Sequence, residues 1–139
     1  MLLTEEETAN IIPQKLPFVM IDSLIAVNDK SFTSSFFAKE DNLFSKNGKL
    51  HEPALIENIA QTVAAGFSYV DRQKGGEPQV GFIGGISKLK IHLLPSIGDE
   101  ITTTVTLQHQ FENIFLVKGE NFVGDNPLVE CEMKIVVGV

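Results

Sequence analysis

Cysteine is almost missing from this chain of 139 residues, with Cys131 its only example. An internal disulfide is therefore excluded, and the expected compartment is the reducing cytoplasm. Cys131 lies in an alternating run near the C-terminus, where it reads as a small buried hydrophobe rather than a reactive thiol. Positive charge is scarce as well. Eleven Lys and Arg face 18 Asp and Glu, a net charge of −7, and no stretch gathers the basic residues. Nucleic-acid binding needs clustered Lys and Arg, so such a partner is not expected. No apolar run approaches the ~20 residues that cross a bilayer, so no membrane span is expected. The first residues, MLLTEEETAN, are acidic where a signal peptide would be basic and then apolar. Repeats, low-complexity tracts and Pro/Ser-rich linkers are missing too, which predicts one domain over residues 1–139.

What is present is a globular balance, with 43% hydrophobic and 21% charged residues. Thr4 followed by Glu5, Glu6 and Glu7 suits the start of a short helix. Pro13 and Pro17 end it and bracket an extended segment. Phe18 to Val27 is a long apolar run, Asn28-Asp29-Lys30 a turn, and Ser31 to Ala38 the second strand of a hairpin. Between Pro53 and about Val70 the apolar residues Ile56, Ile59, Ala60, Val63, Phe67 and Val70 recur at helical spacing. Pro53 fits the first turn of that helix, where its missing N–H is no loss. Gly75-Gly76-Glu77-Pro78 then forms a loop.

Only strand signals follow. Val80 to Ile91 is interrupted at Gly84-Gly85, where a bulge is expected. Ile101, Thr103, Val105 and Leu107 alternate with polar neighbours, and Ile114–Val123 and Leu128–Val137 are joined by a turn at residues 124–127. Val129, Cys131, Met133, Ile135 and Val137 share a face of the last strand. Short connections imply antiparallel neighbours. The predicted class is α+β, a curled antiparallel sheet around one long apolar helix, with an exposed edge strand suited to pairing with a second subunit.

Four segments in register resemble a known family. Pro13-Gln14-Lys15-Leu16-Pro17-Phe18-Val19-Met20-Ile21-Asp22 is similar to the N-terminal motif of the FabZ-type 3-hydroxyacyl-acyl-carrier-protein dehydratases, Pro-His-Arg-Tyr-Pro-Phe-Leu-Leu-Val-Asp. Glu57, followed by three residues and Gln61, resembles their central-helix motif. Gly85-Ile86-Ser87-Lys88 and Gly98-Asp99-Glu100-Ile101 resemble their later Gly-Ile-Asp-Lys and Gly-Asp-Gln-Leu elements. Asn42-Leu43-Phe44 before a shortened loop resembles the small dehydratase-like proteins of aryl polyene and flexirubin pathways.

The resemblance implies the hotdog fold, a dimer, and active sites at its interface. There a His from the first motif of one protomer and the helix Glu of the other flank an acyl thioester on acyl carrier protein or coenzyme A. It implies no cofactor. The chemistry needs such a pair, because a base must take the C2 proton of a 3-hydroxyacyl thioester and an acid must protonate the departing C3 hydroxyl. In this chain Glu57 matches the helix carboxylate, whereas Gln14 occupies the His position, and an amide does not transfer protons near pH 7. The family's Gly at the helix start is replaced by Glu52, and Pro53 beside it offers no N–H to a thioester oxygen.

His51, six residues before Glu57, is either an ordinary loop histidine or a substitute for the missing acid/base. Gln61 shares the helix face of Glu57, and the motif places it, with Pro17 and Phe18, among candidate substrate contacts. Gly84 and Gly85 either join them or only curve the sheet. His51, His92 and His109 are dispersed, so no metal site is expected. Gly81, Gly84 and Gly85 are not followed by a P-loop Lys-Ser/Thr and form no phosphate cradle. Three functions stay open: a dehydratase, a thioesterase in which Glu57 activates water, and a non-catalytic subunit that completes a homologue's site in a homodimer or heterodimer.

Overall fold

The computed structural model describes residues 1–76 and 81–138. Glu77 and Pro78 of the anticipated loop, and Val80 at the anticipated strand start, lie outside the described residues. The N-terminal helix α1 (Glu5–Ala9) is closed by the reciprocal cap expected of its acidic start. Thr4 Oγ1 accepts the Glu7 amide N–H at 3.1 Å, and the Glu7 carboxylate accepts the Thr4 N–H at 3.0 Å.

Strands β1 (Ser23–Val27) and β2 (Ser31–Phe37) form the hairpin, turned by Asn28, whose Oδ1 accepts the N–H groups of Lys30 and Ser31. The apolar run from Phe18 enters the sheet only at Ser23. Phe18 O and both backbone groups of Met20 bond side chains of the central helix instead of a strand, and the Phe18 N–H donates to Lys15 O. A two-residue hairpin, β3 (Ser45–Lys46) and β4 (Lys49–Leu50), turns through Asn47 and Gly48 at φ +55° and +75°. That Asn-Gly pair is the sequence signature of such a turn, and it identifies a hairpin too short to show as alternation.

The central helix α2 (Glu52–Gln73) is followed by β5 (Gly81–Ile91), β6 (Glu100–Phe111), β7 (Ile114–Val123) and β8 (Asn126–Val137). All pairings in the six-stranded sheet are antiparallel, in the order β1-β2-β6-β7-β8-β5. Adjacency by short connection therefore holds for β6, β7 and β8 but not for β5, which forms the far edge. The segment after β5 makes the crossing possible because its own backbone is satisfied on the way. His92 N–H donates to Leu128 O, Leu50 N–H to Pro95 O, Ile97 N–H to Gly48 O and Gly98 N–H to Ala38 O. The expected bulge is present, with a register shift between Ile83 and Gly85.

Helix α2 lies across one face of the sheet and touches all six strands. Leu55, Ile59 and Val63 pack with Met20, Val105, Val117 and Met133 in the main core. Close approach is built in at two glycines. A Cβ at Gly66 would overlap the Phe32 ring, and one at Gly119 would overlap the Ile59 side chain. Cys131 belongs to this core, and burial pushes its thiol up to about 11, so it stays an inert hydrophobe at neutral pH. Among the described residues no helix is long and apolar enough to cross a membrane.

The helix is also pinned by polar side chains on its most buried face. Asn58, Gln61 and Thr62 are each 0% exposed. Gln61 Oε1 accepts the Met20 N–H at 2.6 Å, and its Nε2 donates to Phe18 O at 2.8 Å. Asn58 Nδ2 donates to Met20 O at 2.7 Å, while its Oδ1 accepts the Thr103 hydroxyl. Thr62 donates to Asn58 O and shares a hydrogen bond with Ser34. From the sheet side, Asn121 Nδ2 donates to Leu55 O and its Oδ1 accepts the Val129 N–H. Every one of these buried groups is satisfied, which is the condition for burying them at all.

Two predictions follow from this packing. Gln61→Leu strands the Met20 N–H and the Phe18 carbonyl, at about 1–3 kcal/mol for a stranded buried group. The urea midpoint should fall accordingly, and the Met20 amide should lose hydrogen-exchange protection more than amides of β6. The second concerns Asp22, whose Oδ2 accepts the Phe37 N–H at 2.8 Å. Burial raises its pKa above the ordinary 3.8, the Phe37 hydrogen bond opposing the rise. The folded state thus keeps a proton on Asp22 at pH values where the unfolded chain has lost it. Its contribution to stability is greatest in acid and declines as pH rises through the folded pKa. Asp22→Asn retains an acceptor without the charge. It should unfold at higher urea than the parent at pH 7, and at nearly the same urea near pH 3.

Candidate active site

Residues 10–14 leave α1 and run along α2, and Gln61 and Asn58 fix residues 18–20 against the same helix. The space between this segment, α2 and the start of β5 is a cavity of about 440 Å³. Its walls combine Ile11, Ile12, Ala60, Val63, Ala64 and Phe67 with Phe82, Ile83, Ile135 and Val137 from the sheet edge. Polar residues enter at few places: Asn10, Gln14, Glu57, Ser68 and Arg72. An apolar passage with a few polar groups suits a chain-like ligand with one reactive end.

Glu57 is half-buried, and one of its oxygens, Oε1, accepts Gln61 Nε2 at 3.1 Å. This hydrogen bond holds the carboxylate in one orientation, because Gln61 is itself fixed at both ends of its amide. Gln61 is thus a positioning residue; its bonds go to Phe18 O, Met20 N and Glu57. Gln14 lies on the same cavity within the same chain, and its Oε1 is buried with no partner among the described residues. The structure therefore brings the two motif residues Glu57 and Gln14 to one space. Among the described residues, Glu57 is the only carboxylate there, and no histidine lines it.

The other candidates are placed elsewhere. His51 caps α2 through its backbone; its Nε2 pairs with Lys46 O at 3.1 Å and its Nδ1 lies 3.5 Å from Glu52. It is not part of the cavity wall. Pro17 and Phe18 lie on an exposed loop, and Phe18 reaches the site only through its carbonyl bond to Gln61. Gly84 and Gly85 sit at the β5 bulge, beyond the Gly81, Phe82 and Ile83 that line the cavity. Among the described residues, no three His, Cys, Asp or Glu side chains gather to hold a metal ion.

Sequence reasoning missed Ser68, Asn10 and Arg72 as cavity residues, and Asn58 and Thr62 as anchors. A signal for the anchors was there. Asn and Thr are poor helix formers, and at positions 58 and 62 they stand four apart inside an otherwise apolar helix.

The strand that borders the cavity is also the open edge of the sheet. Phe82, Ile83, Ile86, Leu89 and Ile91 of β5 are all 43–55% exposed. Such an apolar edge is a surface for pairing with another chain.

The profile described as ApeP-like, ApeP dehydratase, matches residues 6–137. The 3-hydroxyacyl-acyl-carrier-protein dehydratase FabZ of Oenococcus oeni is 26% identical over 121 residues, covering 81% of this chain and 83% of its own. A FabZ dehydratase of Enterococcus faecalis is 24% identical, covering 99% and 97%. Among solved structures, the dehydratase heterocomplex ApeI:P from Xenorhabdus doucetiae has a TM-score of 0.85 at 17% identity, covering 95% of this chain and 91% of that one. A hypothetical thioesterase with coenzyme A from Streptococcus pneumoniae has a TM-score of 0.69 at 10% identity, with 84% of each chain covered. At these identities the structural likeness speaks for the hotdog fold alone. The family rests on the profile, which spans nearly the whole chain: this protein belongs to the ApeP-like dehydratases.

Proposed function

We propose that this chain is one half of a composite dehydratase for 3-hydroxyacyl thioesters. It holds the acyl chain in the cavity beside α2 and contributes Glu57 to the elimination. It pairs along β5 with a related hotdog subunit, which brings the proton-transferring side chain absent at position 14. The observation that carries this reading is that Glu57 shares its cavity with Gln14 and, among the described residues, with no other group able to exchange a proton at the reacting end.

The reaction breaks the C2–H and C3–O bonds, forms the C2=C3 double bond and releases water. One group must accept the C2 proton while another delivers a proton to the departing hydroxyl. Glu57 fills one of these roles. Gln14 fills neither, but its unpaired Oε1 can accept a hydrogen bond from the substrate's C3 hydroxyl and orient it. A homodimer would repeat Gln14 in both halves, so the chemistry favours an unlike partner with an intact His. The ApeI:P neighbour, named as a dehydratase heterocomplex, supports that choice. The thioester carrier in this reading is acyl carrier protein, in keeping with the FabZ relatives.

The test uses the purified chain with a 3-hydroxyacyl-acyl-carrier protein and detection of products by mass. Alone, it should yield neither the dehydrated acyl group nor the free acid. Gln14→His should raise elimination roughly 100-fold above that background. Full elimination by the unaltered chain would overturn the composite reading, and release of free acid would replace it with a hydrolase.

A further inference from the structure

Two polar atoms of the cavity have no partner among the described residues, Gln14 Oε1 and Ser68 Oγ. Gln14 stands with Glu57, where the proposed chemistry takes place. Ser68 does not. It lies eleven residues further along α2, which at 3.6 residues per turn returns to nearly the same face about 16 Å away. It is only 6% exposed. A serine inside a helix ordinarily settles its hydroxyl on the carbonyl four residues earlier, and Ser68 makes no such bond. A buried hydroxyl left unpaired is unfavourable and calls for an explanation.

The wall between the two polar ends is apolar, formed on the helix side by Ala60, Val63, Ala64 and Phe67. Arg72, one turn past Ser68, lines the cavity too. The passage is therefore polar at the Glu57 end, apolar along its middle and polar again at its far end. The span corresponds to roughly a dozen chain atoms at the ~1.2 Å per bond of an extended chain.

We propose that Ser68 is a specificity-determining residue. It receives a hydrogen-bonding group, such as a hydroxyl, at the far end of the acyl chain whose thioester lies at Glu57. The cavity then selects chains that are polar at their remote end over plain alkyl chains. This rests on the acyl-binding reading above, and the remote end is read by a group that takes no part in the elimination.

The test is binding, measured by calorimetry on the purified chain, of two neutral probes that cannot undergo elimination. These are the N-acetylcysteamine thioesters of dodecanoic acid and of 12-hydroxydodecanoic acid. The unaltered protein should favour the hydroxylated probe roughly fivefold, the scale of one net hydrogen bond. Ser68→Ala should reverse the order, because the terminal hydroxyl then enters an apolar pocket unpaired. Equal affinities, or a preference for dodecanoyl that Ser68→Ala leaves unchanged, would overturn the role of Ser68 while leaving acyl binding intact. Failure of both probes to bind would overturn the acyl-binding reading along with it. If Ser68→Ala weakened only subunit pairing, with the probe preference unmoved, Ser68 would be an interface residue and the proposal would fall.

Discussion

The side-chain amide of Gln61 connects the backbone of one segment to the carboxylate of another. It is fully buried, its oxygen takes the Met20 N–H, and its nitrogen serves both the Phe18 carbonyl and Glu57. Burying an amide is unfavourable unless both ends are satisfied, and here the satisfaction comes from the segment that leads on from Gln14. Asn58, one turn earlier, repeats the arrangement with the Met20 carbonyl. The segment cannot slide along α2 without stranding these groups. The position of Gln14 relative to Glu57 is therefore a consequence of how the helix is docked, and the orientation of the Glu57 carboxylate is a consequence of the same bonds.

The cavity and the exposed apolar strand meet at one edge of the sheet. β5 supplies part of the cavity wall with Gly81, Phe82 and Ile83, and further along it leaves Ile86, Leu89 and Ile91 open. An apolar edge strand is unfavourable in water until another chain covers it. In the composite reading the partner that covers this edge also brings the missing proton-transferring group. The two deficits of the isolated chain then have one remedy. In that reading, a cavity with a fixed carboxylate and an amide beside it holds and orients substrate, while the second proton-transferring group comes from the partner.

Much of the architecture was readable from the residues. The apolar spacing of Ile59, Val63 and Phe67 marked α2, and the strict alternation of β6 marked its inward face, with Ile101, Thr103 and Val105 buried. The motif singled out Glu57 and Gln14 as partners across two protomers, whereas in the structure both line one cavity of the same chain. Other features were not readable, for physical reasons. The placement of β5 beside β8 depends on hydrogen bonds made by residues 92–98 to three distant segments, which local periodicity does not encode. Residues 18–22 have the composition of a strand, yet the bonds to Gln61 and Asn58 hold residues 18–20 off the ladder. Gln61 itself is a common helix former, and only its surroundings reveal that it is an anchor. Ser68 is one small polar residue among apolar ones, and its unpaired hydroxyl exists only once the cavity has walls.

The central claim is that Glu57 of this chain works in a site completed by another subunit. The most direct measurement is elimination by the complex of this chain with a related hotdog subunit that retains the motif His, comparing the parent with Glu57→Gln in this chain alone. Glu57→Gln keeps an acceptor oxygen for Gln61, so the complex should assemble with unchanged affinity. Its rate of water elimination should nevertheless fall by roughly 10²–10⁴-fold, the contribution of one general acid or base. An intact complex whose rate is unaffected by Glu57→Gln would contradict the account.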